Sequence, residues 1–332
     1  MKPGKENIKN NKPVIGLCIP PRPVEGEAPA LWGCLKPGIR APLLERLSDD
    51  PVYRFVEADF RHAIIRNGKL YTANRCLNEL DAYFWYCEVD RKPGSYHLEL
   101  LKLLARDIPV IPDPVLWEQA MDKFTAHEAL RKAGIAVPET VLADLRNLNS
   151  LQEVLQQWEA AMLKPRRGGW GSGVTLISEF STLRDVAGYL ENMSPESLSQ
   201  GFYLERYYDN DPAQFASITL LGGEVMYGYR KPPEKFVDLG NGRLKVLETE
   251  LARAEALWTP LNETQLGIAE AAAAVLQCPV IGFDLICTPD GYLIVDENTS
   301  PGNYPAVYEK AGIDPAETFG RMILTQLGNR LD

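Results

Sequence analysis

Two apolar runs, Val280–Cys287 and Tyr292–Val295, flank Thr288-Pro289-Asp290-Gly291, and this segment constrains the chain more than any other. A three-residue loop, Pro289-Asp290-Gly291, fits a type I turn with Gly291 in the left-handed region. It closes a hairpin on Thr288 and Tyr292. Counting back sets Asp284 directly opposite Asp296, with Cβ atoms roughly 4.5–5.5 Å apart, where two bare carboxylates repel. Both strands are apolar on both faces and so should be buried, which argues against an ordinary hairpin with solvent-facing acids; buried carboxylates need a partner. Asn298 lies two residues beyond Asp296 on the same face, and Glu297 points to the other. Two carboxylates and an amide oxygen on one patch make a hard-oxygen site suited to Mg²⁺. A slip of one residue would exchange Asp296 for Glu297.

Upstream, Met162-Leu163-Lys164-Pro165 sets a lysine in a short apolar strand, Ala161–Lys164, and Gly168-Gly169-Trp170-Gly171-Ser172-Gly173 begins four residues later. Glycines let backbone N–H groups approach phosphate oxygens. No Gly-Lys-Ser/Thr follows, so this is not a P-loop. The run leads into a strand, Val174–Ile177, which argues against a Rossmann dinucleotide turn. Alone, the glycines read equally as a hairpin loop and Lys164 as a snorkelling edge residue; together they favour phosphate. Glu205, in a strand beginning at Phe202, reads as an exposed strand acid or as a ligand contact. Arg230, ending the apolar strand Val225–Tyr229, reads as a surface cation or as a charge facing metal and phosphates. No Ser-His-Asp or Cys-His arrangement marks a covalent nucleophile.

The 332 residues are too many for one small core. We divide them into a disordered tail (1–12), an N-terminal α/β domain (13–115), a central subdomain (116–200) and a C-terminal subdomain carrying the metal site (201–332). In the N-terminal part, strands Val14–Ile19, Tyr53–Val56, Ala82–Cys87 and Ile108–Ile111 alternate with helical spacing at His97–Arg106, which predicts a parallel layer. The Pro- and Gly-rich stretch 20–42 reads as a long loop. A helix opens at Asp122 and runs to Lys132, stopped by Gly134. Phe215–Leu221 and Val225–Tyr229 form a hairpin about Gly222-Gly223. Residues 262–276 are an alanine-rich helix, and 231–260 give no clear pattern.

Thirty-five basic against 45 acidic residues leave a net charge of -10, which gives no general attraction for nucleic acid or anionic membrane. The polar N-terminus lacks an apolar signal core, and six cysteines without Cys-x-x-Cys spacing suit reduced thiols. Both observations fit a cytoplasmic protein.

Taken together, these segments resemble the ATP-grasp superfamily, in the branch of glutathione synthetase, RimK-type amino-acid ligases and D-alanine–D-alanine ligase. The matching order is Asp122-Lys123 with the helix to Gly134 and Pro138, Lys164 and the glycine loop, Leu204-Glu205, Tyr229-Arg230, Gly282-Phe283-Asp284, and Asp296-Glu297-Asn298-Thr299-Ser300-Pro301-Gly302. The resemblance implies an ATP-grasp fold, α/β and α+β, behind a Rossmann-like pre-ATP-grasp domain. It implies ATP with Mg²⁺, two ions that Mn²⁺ can replace. Lys123 and Lys164 then look like the lysines on the nucleotide phosphates, and Gly168, Gly169, Trp170, Gly171, Ser172 and Gly173 like the phosphate cover. Glu205 looks like the adenine-side residue, with the backbone of Arg206 and Tyr208 on the base edge and Asp211 or Gln214 toward the ribose. Arg230 looks like the arginine that steadies the transferred phosphoryl group, and Asp284, Asp296 and Asn298 like the Mg²⁺ ligands. The chain departs from the pattern in carrying Asp296 where a glutamate is usual, in lacking an arginine two residues before Asp284, and in a poor match over 231–245.

The implied activity is ligation of a small-molecule or peptide carboxylate to an amine through an acyl-phosphate, releasing ADP and phosphate; a homodimer is compatible with it. Two other readings stand beside it. A small-molecule kinase on the same scaffold would give a stable phosphoproduct, and a non-catalytic nucleotide-binding regulator would give no turnover.

Overall fold

The computed structural model describes residues 12–21, 33–73, 75–169, 171, 173–193, 201–231, 236–240, 242–246 and 256–331. Residues 1–11 of the expected tail, and Trp170 and Ser172 of the glycine segment, lie outside the described residues. The chain divides into two compact units, one of Met1–Asp90, Gly94–Pro114 and Pro315–Asp332, the other of Arg91–Pro93 and Val115–Asp314.

The first unit holds β1 (Val14–Cys18), helix α1 (Pro37–Ser48), β2 (Arg54–Glu57), β3 (Ile64–Arg66), β4 (Lys69–Thr72), β5 (Arg75–Cys76), β6 (Ala82–Trp85), helix α2 (Tyr96–Leu104) and β7 (Val110–Ile111). Its main sheet is parallel, in the order β2-β1-β6-β7. All four residues of β6 are buried, as strands covered on both faces of a parallel sheet should be. Helix α1 replaces the last six residues, 37–42, of the expected loop. Pro37 occupies its first turn, where a missing N–H costs nothing. Ile39, Leu43 and Leu47 form its buried stripe, four residues apart as a helix face requires. The small antiparallel sheet β3-β4-β5 turns at Asn67-Gly68, both at positive φ, a hairpin signal of the Asn-Gly kind. The C-terminal helix, Pro315–Leu331, belongs to this unit and packs on α1; the C-terminal region therefore does not continue as one piece to residue 332.

The second unit holds helices α3 (Pro114–Met121) and α4 (Lys123–Lys132), β8 (Thr140–Ala143), α5 (Leu151–Trp158), β9 (Ala161–Lys164), β10 (Thr175–Ile177), α6 (Phe180–Met193) and β11 (Phe202–Arg206). Strands β10-β9-β11-β8 make an antiparallel sheet. Leu151, Leu155 and Leu183 from the helices pack on Leu163, Ile177 and Leu204 from the strands, and each such burial is worth about 1.5–3 kcal/mol. Because β11 pairs with β8 and β9, the expected boundary at 200/201 cuts through a sheet.

The chain continues with β12 (Ala216–Leu221), β13 (Glu224–Arg230), β14 (Phe236–Asp238), β15 (Leu244–Val246), β16 (Leu257–Trp258), helix α7 (Glu263–Leu276), β17 (Val280–Thr288), β18 (Gly291–Asn298) and helix α8 (Pro305–Ala311). The order β16-β13-β12-β17-β18 is antiparallel, with β18 at the edge. Gly222 and Gly223 both take positive φ in the β12–β13 turn, as a two-residue hairpin demands. A full capping box between Asn262 and Gln265 opens α7.

The β17–β18 hairpin reaches the expected pairing by another route. Thr288 pairs with Gly291, so the turn has two residues, not three, and Leu285 pairs with Ile294. A bulge then adds Val295, and Asp284 meets Asp296 after all. The one-residue difference at the turn and the extra residue in the bulge cancel.

Candidate active site

One cross-strand row organises the second unit: Tyr229 on β13 faces Ser217 on β12, Ser217 faces Asp284 on β17, and Asp284 faces Asp296 on β18. Residues opposite one another in a sheet stand on one face, so the row aims an acidic pair at one surface. The Ser217 hydroxyl donates to Asp284 Oδ1 at 2.6 Å and Lys231 Nζ to Oδ2 at 2.8 Å. Lys231 lies beyond the end of β13, is 5% exposed, and sits over the Phe215 ring at 5.0 Å.

Lys123 comes from the first residue of α4. Asp122 caps that helix, accepting from Phe124 N and Thr125 N at 3.2 and 3.4 Å, and also binds Arg166 at 2.8 Å and Arg167 at 3.0 Å. A carboxylate suits a helix N-terminus; here it also fixes that terminus to the start of the glycine segment, where Lys123 N donates to Arg166 O at 3.0 Å. Lys123 Nζ reaches Asp296 Oδ1 at 2.7 Å. Burial works against both charges, yet each partner more than offsets it. Asp296 holds Lys123 above the usual lysine range, and Lys123, Lys164 and Lys231 hold Asp296 below the usual carboxylate range.

Lys164, the last residue of β9, pairs with Glu205 on β11 at 2.5 Å and donates to Val295 O at 2.8 Å. The bulge explains the second bond, because the extra residue has no place in the ladder and its carbonyl is left to other donors.

Three lysine–carboxylate pairs thus line one cavity of about 1040 Å³, its open mouth included. Gly168, Gly169 and Gly171 form its rim, and Met162, Tyr207, Tyr208, Phe215 and Ile286 supply apolar wall. Tyr207 Oη accepts from Leu244 N at 2.9 Å, which brings the β14–β15 hairpin to the cavity at Leu244. Gly168 O accepts from Arg91 Nη1 at 3.3 Å and Lys123 Nζ at 3.4 Å.

Of the residues singled out in the sequence, Lys123, Lys164, Gly168, Gly169, Gly171, Glu205, Arg206, Tyr208, Asp284 and Asp296 line this cavity. Gly173, Asp211, Gln214, Arg230 and Asn298 do not. Asp211 caps a short 3₁₀ turn and accepts from Gln214 Nε2 at 3.1 Å; Asn210 takes the lining position beside them. Arg230 is exposed, and Lys231 is the cation at Asp284. Period-2 alternation could have found it: Tyr229 and Lys231 share a face, and Arg230 takes the other. Asn298 faces Gly282 across the strands. Glu297 points away from the cavity, and its carboxylate is fully buried beside His127; burial pushes it above the usual range. Among the described residues no cluster of three His, Cys, Asp or Glu side chains could hold a metal ion. The donor set on this surface is two facing carboxylates, Asp284 and Asp296, whose hard oxygens suit a divalent cation such as Mg²⁺.

The RimK-like ATP-grasp domain matches residues 120–323. A probable alpha-L-glutamate ligase of Mannheimia succiniciproducens is 27% identical over 219 residues, 65% of this chain and 68% of that one. A protein of the same description from Xanthomonas axonopodis pv. citri is 28% identical over 228 residues, 67% and 70% of the two chains. Among solved structures, a RimK domain ATP-grasp protein from Sphaerobacter thermophilus superposes with a TM-score of 0.63 at 13% identity, over 93% of this chain and 98% of that one. The D-alanine–D-alanine ligase of Bacillus anthracis complexed with ATP gives 0.62 at 16% identity, over 96% and 98%. At such identities the structures speak for the fold alone. The family match spans the helix of Lys123, both sheets and the acidic hairpin, and the chain accordingly belongs to the RimK-like ATP-grasp family of ATP-dependent ligases.

Proposed function

We propose that this chain is a cytoplasmic carboxylate–amine ligase that forms an amide or peptide bond through an acyl-phosphate, using ATP and two Mg²⁺ ions that Mn²⁺ can replace. The observation that carries the reading is the set of pairs Lys123–Asp296, Lys164–Glu205 and Lys231–Asp284 around one cavity. The six charges balance one another, and a nucleotide with its divalent cation can separate them. Asp284 and Asp296 then face the metal and the ammonium groups face phosphate oxygens, so those desolvated charges are not left alone.

When bound, Mg²⁺ neutralises charge on the β- and γ-phosphates. Asp284 and Asp296 would hold it, with Asn298 next on the same face of β18. Lys123 and Lys164 bind phosphate oxygens. Lys231, beside Asp284, takes up charge that spreads during transfer. Gly168, Gly169 and Gly171 bring backbone N–H groups close, and closure of that segment keeps water from the acyl-phosphate. Tyr208, Met162 and Ile286 present the apolar surface a base needs. The substrate carboxylate attacks the γ-phosphorus, ADP leaves, and an amine displaces phosphate.

The test is ADP and phosphate release over pairs of carboxylates and amines, with glutamate first because the relatives are named alpha-L-glutamate ligases. Release is expected only when both partners are present. A stable phosphoproduct from a single acceptor would make the protein a kinase, and nucleotide binding without turnover would make it a regulator.

A further inference from the structure

We infer that His127 is a positioning residue for the nucleotide, tying together from behind the three elements that carry the phosphate lysines and the metal acids. The inference rests on the ligase reading above. His127 is wholly buried and lies one helical turn beyond Lys123 on α4, so the two stand on one face of that helix. Helix α4 packs beside β18, the edge strand of its sheet, and an edge strand can be reached on both faces by one neighbour. Lys123 meets Asp296 at 2.7 Å; His127 Nε2 lies 3.3 Å from Oε2 of the next residue, Glu297. On its other side, Nδ1 is 2.8 Å from Tyr203 Oη and 3.6 Å from Glu205 Oε1. Glu205 in turn holds Lys164. One imidazole therefore touches α4, β11 and β18, and every charged pair at the nucleotide end of the cavity is one residue or one contact away from it.

Stability alone does not account for this cluster. Neither oxygen of Glu297 nor Nε2 of His127 makes a hydrogen bond of good geometry among the described residues, although all three atoms are buried. Buried polar groups so placed cost free energy, and a well-packed apolar trio of similar volume is often as stable or more so. What the cluster supplies is a fixed distance: the imidazole sets how far α4 stands from the acids of β18 and from Glu205, and so where Lys123 and Lys164 present their charges. A partner behind a ligand commonly controls affinity in this way.

The experiment replaces the cluster by Tyr203→Phe, His127→Leu and Glu297→Met together in the full chain. Thermal unfolding and the Kd for ATP with Mg²⁺, by titration calorimetry, are then compared with wild type. The triple variant is expected to fold with an unfolding temperature at or above wild type, and to bind the nucleotide about 10-fold or more weakly. Binding within about twofold of wild type would reduce the cluster to packing and overturn the inference. Should the triple variant not fold, Glu297→Gln is the readout, since it keeps the volume beside Nε2. A Kd raised by about 10-fold with cooperative unfolding retained is expected, and an unchanged Kd overturns the inference. Wild-type protein that binds no ATP with Mg²⁺ would sink the ligase reading instead.

Discussion

Asp296 and Glu297 are consecutive carboxylates, yet one backbone step leaves the first side chain 26% exposed and the second fully buried. Asp296 faces the cavity and Lys123; Glu297 faces His127. Asp296→Asn removes one of the two acids proposed to hold the metal and strips Lys123 of its counter-charge, and should lower Mg²⁺-dependent kcat/KM about 100-fold or more. Glu297→Gln should cost about 10-fold. Steady-state kinetics of ADP release decide it, and the reverse order would mean that Glu297 is the ligand. The same step separates Arg230 from Lys231. Lys231→Met should lower kcat about 100-fold and Arg230→Met should leave it within about threefold; a larger loss at Arg230 would return the phosphoryl-steadying role to it. At Cys278, burial pushes the thiol up to about 12. It stays protonated in the folded chain at pH 8, where mass spectrometry after alkylation should find it unmodified until the protein unfolds. Because the unfolded thiol ionises near 8.5, this group subtracts stability as pH rises from about 9 toward 12.

At the scale of elements, the start of α4 carries more than a helix cap. Asp122 satisfies two helix N–H groups and two arginines at once. Asp122→Ala therefore loses a cap and leaves Arg166 and Arg167 without their shared acid. Urea unfolding should show a loss of about 3 kcal/mol; a loss below about 1 kcal/mol would mean that the arginines find other partners. The helix itself was legible, because Asp122 before it and Gly134 after it are local signals. Helix α1 was not. Its Pro and Gly content reads as loop, and only packing of Ile39, Leu43 and Leu47 against a core favours the helix. The acidic hairpin lies between these cases. Its end point, Asp284 against Asp296, was legible, but the two-residue turn and the bulge at Val295 were not, since both depend on which backbone groups the surroundings leave to pair.

Across the whole molecule, a ligand bound only by the folded state must raise stability. ATP with Mg²⁺ at 100 times its Kd should add about 2.7 kcal/mol, seen as a rise in unfolding temperature. ATP with EDTA should raise it less, because Asp284 and Asp296 then face the phosphates uncompensated. Equal shifts with and without metal would count against a metal site on these acids. The sequence by itself determined what lies within a few residues along the chain: the hairpins about Gly222-Gly223 and Pro289-Asp290, the cap at Asp122, the alanine-rich helix from residue 262, and the parallel strands of the first unit. These follow from turn, cap and periodicity rules that act locally. Only the tertiary structure decided that the C-terminal helix returns to α1, that Lys123 meets Asp296, and that His127 separates Glu205 from Glu297. Each of these joins segments far apart in sequence. Which distant surface a side chain meets is fixed by packing and by the partner a buried charge requires, and neither is written in the residues on its two sides.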